Sequence, residues 1–64
     1  MLKHEAIIKD FLEDKGIKLK GIENDGRILI EDEDGQHIYR CIEIDKAIRI
    51  YNVYYDRLYT LELN

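Results

Sequence analysis

His4, His37 and Cys41 are the only side chains in this sequence with the nitrogen or sulfur donors that soft metal ions prefer. A structural zinc site needs four such ligands, commonly in closely spaced pairs. Neither a C-x-x-C nor an H-x-x-x-H pair exists here. His37 and Cys41 fall on one face of an extended strand, four residues apart, too far along it for one ion to bind both easily. The pattern reads as a turn histidine and a small buried thiol. The acidic run Glu31-Asp32-Glu33-Asp34-Gly35 raises calcium instead. An EF-hand loop needs oxygen ligands at its first, third and fifth positions and glycine at its sixth. With Gly35 sixth, Ile30 falls first and Cys41 takes the place of the closing glutamate; with Gly26 sixth, Gly21 falls first. Both alignments fail, and a tight turn asks for Asp-Gly by itself. No metal and no other cofactor is expected.

Bond-making chemistry fares no better. A nucleophilic mechanism needs a nucleophile, a base and a group that orients the base. The chain has no serine, one threonine (Thr60) and one cysteine, and nothing supports a Cys41–His37 pair. A paired-carboxylate hydrolase needs two acids facing each other across a cleft, which so short a chain can hardly form alone. Gly16, Gly21, Gly26 and Gly35 are evenly scattered rather than gathered into a phosphate-binding loop. The expectation is a protein that is not an enzyme.

Binding is what remains, and two groups of residues invite it. Residues 23–34 hold six acids against the single base Arg27, so the net charge of −4 is concentrated there. Glu31, Asp32, Glu33 and Asp34 could present carboxylates where DNA presents phosphates, and so block a nucleic-acid-binding protein. Tyr39 and Tyr51 head the second group. With Arg40, Arg49 and Arg57 the tyrosines could form a stacking platform for bases, although an acidic chain disfavours non-specific nucleic-acid binding.

The elements that must position these residues follow from periodicity. Residues 3–15 read as a helix, because Ile7, Ile8, Phe11 and Leu12 form one apolar stripe. Gly16 can take the left-handed conformation that ends it, and Ile17 can supply the accompanying apolar contact. From Ile17 onward the period is two. Ile17 and Leu19 alternate with Lys18 and Lys20, and Gly21 shifts the phase to Ile22 as a bulge would. Asn24-Asp25-Gly26 and Asp34-Gly35 are turn signals, and Asp45-Lys46 is a third. Between the last two, Ile38, Arg40, Ile42 and Ile44 alternate with Tyr39, Cys41, Glu43 and Asp45. Residues 47–63 also fit a helical spacing, but Ile, Val, Tyr and Thr favour strands.

The fold class expected is α+β, an N-terminal amphipathic helix packed on a four- to five-stranded antiparallel β-meander over residues 17–63. A 13-residue helix is about 20 Å long and covers one face of such a sheet. The other face is expected to carry Tyr39, Cys41, Tyr51 and Val53. Either the sheet curls into a small SH3-like barrel, or a second subunit or partner packs on that face. The order of a short helix and then five strands resembles that of Sm-like RNA-binding barrels. The likeness is one of fold, which implies little about function.

Sixty-four residues make one domain, and a chain so short has a small stability margin. A single cysteine rules out an intrachain disulfide, which makes a homodimer a reasonable expectation. No apolar run is long enough for a membrane span. Met1–Glu5 shows no signal core, and a lone thiol suits a cytoplasmic protein. Together these features lead to a non-catalytic protein-binding module. It would be an inhibitor or adaptor of the kind that phages and other mobile elements encode, binding a protein partner and contacting no membrane.

Overall fold

The computed structural model describes residues 4–63; Lys3, where the expected helix begins, lies outside them. Helix α1 spans Glu5–Glu13 and is followed by five strands: β1 Lys18–Ile22, β2 Arg27–Asp32, β3 Gly35–Ile44, β4 Ala47–Asn52 and β5 Arg57–Glu62. Each strand pairs antiparallel with the next, in the order β1-β2-β3-β4-β5. The described helix is not long and apolar enough to cross a membrane.

Local chemistry explains the boundaries. At the end of α1, Ile17 donates its backbone N–H to Leu12 (2.9 Å) and Gly16 donates to Glu13 (3.0 Å). Gly16 sits at φ 77°. This is the Schellman pattern, and its hydrophobic closure is present because Leu12 and Ile17 are both buried in the core. In β1, Leu19 pairs with Ile30 and Gly21 with Leu29. Lys20 is therefore the extra residue of a bulge, and the phase shift lets both Leu19 and Ile22 pack against the core. The β3–β4 turn places Asp45 at φ 55°, a conformation that Asp tolerates better than most side chains.

The core forms on one side of the sheet. Ile8 and Leu12 of α1 join Ile17, Ile28, Ile30, Tyr39, Cys41, Ile48 and Ile50 in a single buried cluster. Phe11 meets Tyr59 edge to face at 6.4 Å between ring centroids, and Lys15 Nζ lies 4.7 Å from the Phe11 ring centre. Ile7, assigned to the buried stripe from its spacing, remains 44% exposed. Residues 47–63 form two strands rather than a helix.

Two expectations are corrected. The sheet is not closed into a barrel, because each outer strand has only one hydrogen-bonded neighbour and β1 does not reach β5. Tyr39 and Cys41 do not lie on the uncovered face; Tyr39 is 2% exposed and both belong to the core. The cause is register. Tyr39 is paired with Ile28, His37 with Ile30, Cys41 with Ile50 and Glu43 with Ile48. In β2 and β4 the isoleucine alternation is decisive, and β3 must turn the residues paired with those isoleucines to the same side. Its own Ile38, Ile42 and Ile44 are thereby sent outward.

Candidate functional site

The uncovered face is built by alternation from four strands. Arg27, Arg40, Tyr51 and Leu58 form one cross-strand row through β2, β3, β4 and β5. Leu29 and Ile38 make the row on one side, and Ile42, Arg49 and Thr60 the row on the other, with Ile44 beyond. Ile38 is 58% and Leu58 61% exposed, Ile42 and Ile44 are also exposed, and Tyr51 is half-buried. The result is a stripe of arginines inside an aliphatic surface. Two shallow hollows lie on this face. One runs between Ile42, Ile44 and Leu58, and the other between Ile38, Arg40 and Tyr54.

The arginines differ in their company. Arg27 Nε is 2.8 Å from Asp25 Oδ2, and the Arg27 backbone N–H donates to Asp25 Oδ1 at 3.1 Å. The backbone bond above all, then the guanidinium, holds the Asp25 carboxyl below its ordinary range. Among the described residues, neither Arg40 nor Arg49 has a carboxylate within ion-pair distance.

The acidic tip is not one patch. Alternation along β2 sends Glu31 and Asp32 to opposite faces. Asp32 Oδ1 accepts the Asp34 backbone N–H at 2.8 Å and lies 3.2 Å from His37 Nε2. Glu31 accepts a long bond from Gln36 Nε2 at 3.4 Å. Glu33 and Asp34 stay exposed at the turn. Lys15 and Arg57 line the same hollow as Asp32, Glu33 and Asp34, so cations already attend this end of the molecule. The four carboxylates singled out in the sequence are therefore only half available to a partner.

Cys41 and His37 share the core side of β3, as their spacing requires, but each is engaged separately. Burial first, and then the Glu43 charge, push the Cys41 thiol up to about 11. His37 faces Asp32 and meets Tyr55 edge to face at 4.8 Å. Such a thiol is not a poised nucleophile. Among the described residues no group of three His, Cys, Asp or Glu side chains could hold a metal ion.

Asn52 is the structural residue that periodicity did not reveal. It is 7% exposed, donates Nδ2 to the Ile38 carbonyl (2.8 Å), and accepts the Tyr54 (2.8 Å) and Tyr55 (3.3 Å) backbone N–H groups. It ties β3 to the β4–β5 turn, and so holds exposed Val53, Tyr54 and Tyr55 at the rim of the open face. An asparagine entering a tight turn is the signal that marks it. Comparison of the chain with protein-family models, with curated proteins and with solved structures finds no match.

Proposed function

We propose that this chain is a non-catalytic protein-binding module, an inhibitor or adaptor acting in the cytoplasm, whose contact surface is the uncovered sheet face. The observation that carries the reading is the set of exposed aliphatic side chains, Ile38, Ile42, Ile44 and Leu58, gathered on that face. Scattered surface hydrophobics need no explanation, but four large exposed aliphatic side chains gathered on one face of a small folded domain mark an interaction site. Tyr51 belongs to this surface. Tyr39 supports it only from beneath, as core.

The test compares capture from lysate by the natural chain, by Ile42→Asp and by the tip variant Glu33→Gln/Asp34→Asn. Ile42 is exposed, so its variant is expected to keep the circular dichroism of the folded chain while losing the proteins captured. The tip variant is expected to retain them. If the tip variant loses them and Ile42→Asp does not, the acidic mimic is the better reading.

Single-stranded RNA binding has one specific observation behind it, the proximity of Arg40, Tyr51 and Tyr54 around one hollow. That reading expects a salt-dependent mobility shift of labelled single strands, and no shift at low salt removes it.

A further inference from the structure

We infer that the uncovered face receives a segment of a partner protein that carries carboxylates among apolar side chains. This rests on the protein-binding reading above and adds the chemistry of the occupant. Arg27 lies directly opposite Arg40 across β2 and β3, and like charges in that position oppose strand pairing. Asp25 makes its contact ion pair with Arg27 and reaches Arg40 only through longer-range attraction. Among the described residues neither Arg40 nor Arg49 has a carboxylate within ion-pair distance. Glu31 and Glu62 stand at the two ends of this face, and Asp56 borders the hollow that Arg49 lines without forming an ion pair with it. A guanidinium offers a planar fork of donors that matches a carboxylate two bonds at a time. The aliphatic surroundings would exclude water from such pairs and bury the apolar residues that flank the acids.

Two other occupants fit less well. A second copy related by a two-fold axis would bring this face against itself, stacking its arginine stripe on an identical one. A nucleic acid would find charge but a narrow stacking surface. Tyr51, paired with Arg40 and Leu58, is the aromatic side chain in the central rows, and Tyr54 and Tyr55 stand only at the rim of one hollow.

The experiment is a selection of random 16-residue peptides displayed on phage against the immobilised full chain, with Arg40→Glu/Arg49→Glu and Ile42→Asp as parallel targets. Light scattering and a dT12 oligonucleotide shift are run on the same preparations. The expected result is enrichment of peptides in which Asp or Glu alternates with apolar residues. Their binding should weaken at least tenfold on either variant, while the chain remains monomeric and does not shift dT12. Because both arginines are exposed and Arg40→Glu gives Arg27 an opposite charge, the double variant should melt no lower than the natural chain. Enriched peptides that are neutral or basic, yet lost on Ile42→Asp, would overturn the acidic occupant and leave the protein-binding reading standing. No enrichment, dimerisation through this face, or oligonucleotide binding lost with the arginines would overturn both.

Discussion

Cys41 shows how position sets the behaviour of a side chain. The sequence offered it as a candidate nucleophile or ligand, and register placed it opposite Ile50 inside the core. The unfolded thiol ionises near 9.0, whereas the folded one holds its proton to about 11. A group whose acidity is weakened by folding contributes stability that is complete below its unfolded value and is lost as pH rises toward its folded one. Unfolding measured from pH 8 to 11 should therefore show an extra alkaline loss of at most about 3 kcal/mol. That component should be missing in Cys41→Ala; equal alkaline slopes in the two proteins would refute it. Ellman's reagent at pH 8 should react slowly with the native chain and promptly with the denatured one.

Asn52 carries a different lesson at the same scale. Removing a nearly buried amide that satisfies three backbone groups leaves donors and an acceptor short of partners, and Asn52→Ala should cost about 2 kcal/mol. Asn52→Asp preserves the acceptor for Tyr54 and Tyr55 but sets a carboxylate against the Ile38 carbonyl. It should be comparably weakened at pH 7 and partly restored near pH 4, when the acid can donate. Denaturant melts of both variants decide the point, and an Asn52→Asp chain as stable at pH 7 as the natural one would exclude the bond to Ile38.

At the scale of elements, turns and helix end were legible because each rests on local chemistry. Gly16 at φ 77° and the phase shift at Gly21 needed only neighbours a few residues away. Gly26 adds a longer reach. It combines φ 93° with a site where a side-chain carbon would stand 2.9 Å from the Cys41 carbonyl oxygen. Gly26→Ala should therefore cost about 2 kcal/mol or more, read from the same melts. A loss below a few tenths would mean that the β1–β2 turn relaxes freely. The orientation of β3 was not legible in this way. Its two faces are similar in apolar content, Ile38, Ile42 and Ile44 against Tyr39 and Cys41, and the strand alone prefers the wrong one. Only pairing with Ile28, Ile30, Ile48 and Ile50 settles which side faces α1, and pairing is a non-local property. The same ambiguity separated Tyr39 from Tyr51, and neighbouring acids on β2 were parted by alternation once the strand was in place.

At the scale of the whole molecule, the one short helix and one open sheet of the described residues leave the interior on a single side. A domain of this size has little stability to spare, yet on one face it keeps Ile38, Ile42, Ile44 and Leu58 in water and sets two arginines opposite each other. Such a surface contributes little to the isolated fold, which is why function is assigned to it. The edges are treated unequally. β1 carries a bulge and exposed Lys18 and Lys20, whereas β5 is a regular six-residue strand, so protection against edge pairing is stronger on the β1 side.

The central claim, that the face of Ile38, Ile42 and Ile44 is open in the free protein while the face of Tyr39 is closed, is tested most directly by isoleucine methyl NMR with a soluble gadolinium chelate. The isoleucines sample both faces in one spectrum. Methyls of Ile38, Ile42 and Ile44 should broaden strongly, and those of Ile8, Ile28, Ile30, Ile48 and Ile50 should be spared. Protection of Ile38, Ile42 and Ile44 at every protein concentration would contradict the account, because that face would then already be covered.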